Sequence, residues 1–165
     1  MKKLINIFIA FAVLAIGAVS CQKEELPEVA PTLEIDQRLV GEWQLHRALS
    51  DGIQINQEID VYLCINADCT FELYQKSGTQ SERYEKYTGT CSSENNILNG
   101  VYSNGKPWGS KYTFSFIFIV DGMILESYNM IEVQQYYKVT IPEKVKAEAT
   151  LVNTKSAVST GNPIL

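Results

Sequence analysis

The chain has 165 residues, of which 14 are basic, 19 acidic and one is histidine, for a formal net charge of −5; this length makes one domain with a sizeable core and hardly two. An acidic balance excludes nucleic acid as a partner, because that binding relies on lysine and arginine to neutralise phosphates, and gives the body no electrostatic reason to lie flat on anionic lipid. A single histidine and four cysteines leave little material for a metal centre or a nucleophile and its base.

Lys2 and Lys3 precede an uncharged apolar run, Leu4 to Ile16, which gives way to small residues and the sequence Ala18-Val19-Ser20-Cys21. A charged start, an apolar stretch and small residues before a cleavage point mark an export signal, and the run is short for a bilayer span. The end of this stretch resembles a bacterial lipoprotein signal, with Ala18 where that family usually has leucine. The resemblance implies that residues 1–20 are removed and that Cys21 becomes the lipidated first residue of the mature chain. Two or three acyl chains exceed what stable membrane anchoring needs. The next four residues, Gln22-Lys23-Glu24-Glu25, resemble the surface-export signal of lipoproteins from Bacteroidota, which implies the outer face of the outer membrane. Residues 21–33, with Pro27 and Pro31 and little to bury, read as an extended tether; about ten such residues at roughly 3 Å each hold the domain ~30 Å from the lipid.

The folded part is expected over 34–150. Ile35, Leu39 and Val40 stand at near-helical spacing, enough for one helical turn and too short to be stable alone. From Gly41 onward β-branched and aromatic residues alternate with polar ones in eight runs, about 42–48, 57–65, 69–76, 83–91, 96–103, 111–120, 123–130 and 132–140. Asp51-Gly52, Asn66-Ala67-Asp68, Ser77-Gly78, Asn95-Asn96, Asn104-Gly105 and Asp121-Gly122 supply turn chemistry between them. Eight hairpin-linked strands with one apolar face close most economically on themselves, because closure removes unpaired edges. The expected fold class is therefore all-β: an eight-stranded antiparallel up-and-down barrel. Pro142 and Glu143 open a short helix to about Ala149, expected to pack on the barrel. Residues 151–165 show no apolar periodicity and read as a loose tail.

Gly41-Glu42-Trp43, after a helical turn and at the start of the first strand, resembles the Gly-x-Trp signature of lipocalins. The stretch Asn104 to Gly109 and Ile141-Pro142 at the end of the last strand look like the lipocalin-like lipoproteins of Bacteroidota. The resemblance covers about Leu39 to Val145 and implies a barrel floor closed by Trp43 beside Gly41. Where lipocalins stack an arginine on that tryptophan, the nearest basic residue here is Lys138.

Candidate sites follow from strand parity. Val61, Leu63 and Ile65 are expected inward opposite Phe71 and Leu73, with residue 63 opposite 71; a second hairpin then sets Phe71 opposite Gly89 and Cys69 opposite Cys91. That makes Cys69 and Cys91 the candidate disulfide, with buried thiols as the alternative. His46 falls outward on the alternation from Trp43 and Leu45, as do Glu58 and Asp60, so no catalytic set converges, and neither a metal nor a cofactor is expected. The chain is read as a binding protein and not an enzyme. Tyr112, Phe114 and Phe116 line one face of the most apolar strand, as core or as the wall of an apolar cavity. Trp108, in a loop rich in Gly and Pro, is expected to plug a barrel end, or else to meet a ligand or partner. The function expected is capture of a small apolar or amphipathic molecule in the barrel, with the membrane reached through the acyl chains on Cys21. The alternative is a packed barrel whose loops contact a glycan or an outer-membrane protein.

Overall fold

The structure, a computed structural model, describes residues 33–55, 59–77, 83–109, 113–127, 131–152 and 163–165. The signal sequence, Cys21, the export residues Gln22, Lys23, Glu24 and Glu25, nearly all of the tether, Glu58 and Tyr112 lie outside the described residues.

In chain order the elements are β1 (Gly41–Ser50), the two-residue β2 (Ile53–Gln54), β3 (Ile59–Ile65), β4 (Thr70–Ser77), β5 (Glu85–Glu94), β6 (Ile97–Tyr102), β7 (Phe114–Ile119), β8 (Gly122–Ser127), β9 (Glu132–Lys138), helix α1 (Glu143–Glu148) and the two-residue β10 (Thr150–Leu151). The eight longer strands pair in the order β5-β4-β3-β1-β9-β8-β7-β6, and β6 pairs back onto β5. The result is a closed antiparallel up-and-down barrel of the calycin-like kind. β2 extends the β1 edge, and β10 runs parallel to the start of β5.

Local chemistry explains the hairpins. Asp51 and Gly52 (φ 51° and 77°) and Asn95 and Asn96 (φ 51° and 62°) are left-handed pairs, the backbone that a two-residue turn needs to match strand twist. The β7–β8 turn differs from expectation by one residue: Ile119 pairs with Gly122, so the turn is Val120-Asp121. Gly122 lies in β8, where a Cβ would stand 2.6 Å from the Tyr136 carbonyl oxygen. Between β3 and β4 the register also differs, with Leu63 opposite Leu73 and Ile65 opposite Phe71. The shift is an even number of residues, so every side chain keeps its face. Its cause is the turn, which runs on into Cys69 at φ 65° and closes with Asn66 N–H donating to the Thr70 carbonyl (2.9 Å).

One end of the barrel is floored by the segment before β1. Leu39 N–H donates to the Asp36 carbonyl (2.9 Å) and Val40 N–H to that of Gln37 (3.3 Å), making one tight turn that drops Leu39 and Ile35 into the core. The Trp43 indole N–H donates to the Leu39 carbonyl (2.9 Å), tying floor to wall. Lys138, the register partner of Trp43, sets its ammonium 5.1 Å from the ring centroid, within cation–π range. Gly41 has φ 142°, a region that favours glycine, and a Cβ there would stand 3.1 Å from Lys138 Cε.

The ring is joined unevenly. Among the described residues β6 and β7 share two residue pairs, Ile97 with Ser115 and Leu98 with Phe114. Above them the chain after β6 folds back on its own strand: Tyr102 N–H donates to the Lys106 carbonyl and Trp108 N–H to that of Gly100 (both 2.8 Å). This places the Trp108 ring inside the barrel over Gly100, where a Cβ would stand 2.2 Å from it.

Outside the barrel, α1 lies against the β3–β4 wall. Ile141 and Val145 bury themselves with Tyr62 and Tyr74 in a second apolar cluster. Lys146 pairs with Glu42 (2.9 Å) and Glu143 (3.2 Å), and Glu42 accepts the Ile141 N–H (2.6 Å).

Candidate functional site

Strand alternation sends Leu63, Phe71, Leu73, Tyr87, Tyr102, Phe114, Met123, Leu125 and Tyr136 into one buried core. Three buried polar residues share that inward parity near the end away from Trp43: Ser127 at the end of β8, which accepts the Glu132 N–H (2.9 Å), and two amides, Gln75 late in β4 and Gln134 in β9, only 3% and 2% exposed. Amides this deep need partners. They find them in residues 163–165, which lie in the barrel mouth.

Gln75 Oε1 accepts the Ile164 N–H (2.9 Å), and Gln134 Nε2 donates to the Ile164 carbonyl (2.9 Å). The Tyr102 hydroxyl donates to the Leu165 carbonyl oxygen (2.7 Å), and Leu165, 3% exposed, belongs to the interior cluster. Behind Gln134 the Tyr136 hydroxyl donates to its Oε1 (2.7 Å), which orients the amide with Nε2 toward the mouth. Burial pushes the pKa of Tyr136 far up, and burial together with the neighbouring tyrosines does the same to Tyr102. Both hydroxyls therefore stay protonated and act as donors. Beside Pro163 and Ile164 a cavity of about 210 Å³ is lined by Ala48, Leu49, Ile55, Gln75, Glu132 and Gln134. The arrangement can hold an apolar chain that carries an amide. The expectation of a loose tail from residue 151 is corrected at both ends, since Thr150 and Leu151 pair with β5 and residues 163–165 fill the mouth. Residues 153–162 lie outside the described residues.

The other expected residues are placed as follows. Trp108 is buried at 2% exposure, edge-on to Phe71 at 4.7 Å, and its indole N–H is the one buried side-chain polar atom among the described residues without a hydrogen-bond partner. It fills the interior and is not presented to a glycan or a partner. Phe114 and Phe116 are core residues. The expected disulfide is not formed: Cys69 and Cys91 are free thiols, both buried. The pairing of strands is as expected, with Phe71 opposite Gly89 and Cys91 N–H donating to the Cys69 carbonyl (2.8 Å). The left-handed backbone at Cys69 instead aims its Sγ at the Leu33 carbonyl (3.3 Å). His46 is the extra residue of a bulge between β1 and β9; it is exposed and packs edge-on to Tyr137 at 5.1 Å. Among the described residues no group of three His, Cys, Asp or Glu side chains converges as a metal site.

Gln75, Gln134, Tyr102, Ile164 and Leu165 are absent from the sequence-based candidates. The signal for the glutamines was present, a polar residue at an inward position in each strand. Nothing local in Pro163-Ile164-Leu165 announces that it sits in the mouth with Leu165 buried.

No family model matches the chain, and no curated protein is similar to it. Among solved structures, the lipoprotein YedD from Klebsiella pneumoniae subsp. pneumoniae MGH 78578 aligns with a TM-score of 0.44 at 12% identity, over 73% of this chain and 89% of that one.

Proposed function

We propose that this is a lipid-anchored barrel that holds a small amphipathic molecule at its mouth, without making or breaking bonds. The observation that carries the reading is the pair of buried amides, Gln75 and Gln134, which with the Tyr102 hydroxyl face a polar group seated over an apolar interior. Small-molecule sites are typically built this way, with few polar groups in an apolar setting. The anchor rests on Cys21 and the apolar run before it, and display on the outer membrane surface rests on Gln22 to Glu25. A binding role without catalysis is supported by the outward place of His46.

The test is native mass spectrometry of the mature chain purified without detergent. A bound small molecule, lost when Gln75 and Gln134 are both changed to leucine, is the expected result. A chain that never carries one, whatever extract it has met, sinks the reading. The anchor has its own check: Cys21→Ser should move the protein out of the membrane fraction, and a mature protein without fatty acid on residue 21 would refute it.

A second reading, an interaction module with a filled barrel, is favoured by the buried Trp108 and by the exposed apolar rim of the mouth, where Ile53 is 69% and Ile55 42% exposed. Under it the native mass is that of the bare chain, and Ile53→Ser with Ile55→Ser abolishes capture of an outer-membrane partner.

A further inference from the structure

Resting on the mouth-binding reading, we propose that the site is a receptor for a short apolar peptide in extended form, and that residues 163–165 are its occupant in cis. Three side chains from three different strands meet three backbone groups in sequence. Gln75 of β4 takes the N–H of Ile164, Gln134 of β9 gives to the carbonyl of the same residue, and Tyr102 of β6 gives to the carbonyl of the next. The side chain that follows, Leu165, descends into the core.

This is recognition of a peptide unit. Both faces of one residue's backbone are satisfied, which a fatty acid cannot do because it has no N–H for Gln75. None of the three reading groups carries a charge, so the N–H and carbonyl of Ile164 meet neutral partners of matching hydrogen-bond sense. Tyr136 fixes the orientation of Gln134 from within the barrel, so this amide is set before a guest arrives and loses little entropy on binding. Beside Pro163 and Ile164 the cavity of about 210 Å³, with Ala48, Leu49 and Ile55 on its apolar side and Glu132 among its polar lining, gives a longer peptide a surface of mixed character to follow.

The chain's own segment and a peptide from outside then compete for one place, the tethered segment with the advantage of a high effective concentration. The test compares the mature chain with the same chain lacking Pro163–Leu165, titrated calorimetrically with an acetylated peptide of the sequence Gly161–Leu165. The shortened chain should bind the peptide and the full chain at least about tenfold more weakly. Gln134→Leu in the shortened chain should weaken binding by about tenfold. A folded shortened chain that gives no heat, or equal affinity for the two chains, overturns the inference. So does a shortened chain that fails to fold, because residues 163–165 would then be part of the core itself. Leu165→Ala in the full-length chain is the second variant: it loosens the occupant without removing it and should give an affinity between the two, whereas no change in affinity counts against the proposal. Should a small molecule accompany either chain while the peptide fails to bind, the peptide inference falls and the mouth-binding reading stands; if neither binds, both fall.

Discussion

Two tryptophans, both 2% exposed, show how much a single hydrogen bond decides. The indole N–H of Trp43 meets the Leu39 carbonyl, whereas that of Trp108 meets nothing. Replacing either by phenylalanine removes the same ring volume, but only the Trp43 change also strands an acceptor and loosens the floor. Trp43→Phe should therefore destabilise by about 1–3 kcal/mol more than Trp108→Phe, read from urea midpoints; equal losses would show that the bond contributes nothing. Cys91 offers a second case. Burial, with Cys69 and Asp68 beside it, pushes its thiol up to about 12. Since the thiolate is the reactive form, iodoacetamide at pH 8 should leave Cys91 untouched in the folded protein and alkylate it in urea. Rapid native labelling of Cys91 would contradict its burial.

Among elements, α1 is the clearest case of a short helix made stable by what it touches. Its residues Glu143–Glu148 are too few to hold a helix in water, and Val145 with the preceding Ile141 anchors it on Tyr62 and Tyr74. Carboxylates beside it make the anchorage depend on pH. Burial alone would lift Glu42 and Glu72, but Lys146 and the Ile141 N–H outweigh it at Glu42, as Lys86 and the Tyr74 hydroxyl do at Glu72, and both sit below the ordinary glutamate value of 4.5. Groups with a depressed folded value contribute fully above the unfolded value and lose that contribution as pH falls through the folded one. Amide protection in α1 should accordingly decline below about pH 4.5 while that of β1 and β9 persists, and Glu42→Gln should flatten the dependence. An unchanged α1 at pH 3 would mean that its packing alone suffices.

For the whole molecule, the ring is legible because nearly every junction carries its own turn signal and every strand its own alternation. Asn95-Asn96 and Asp51-Gly52 specify two-residue turns wherever they stand, and Trp43 beside Gly41 and Lys138 marks the floor. Even where local register was misjudged, at residues 63 and 71, the period of two preserved the faces. What was not legible is whatever depends on contacts far apart in the chain. The entry of Trp108 needs Gly100 to make room, the direction of the Cys69 side chain needs the φ of one residue, and the seat of Ile164 needs glutamines from β4 and β9. Position-by-position reading sees a polar residue at an inward place but not the segment that answers it.

The uneven joining of the ring has a consequence of its own. With two residue pairs holding β6 to β7 among the described residues, against seven register pairs between β1 and β9, that flank is where thermal opening is expected to concentrate. Exchange of β7 amides should run at least about tenfold faster than exchange in β1. A wall that parts there wets Leu98 and Phe114 first, two side chains with no exposed surface in the closed ring.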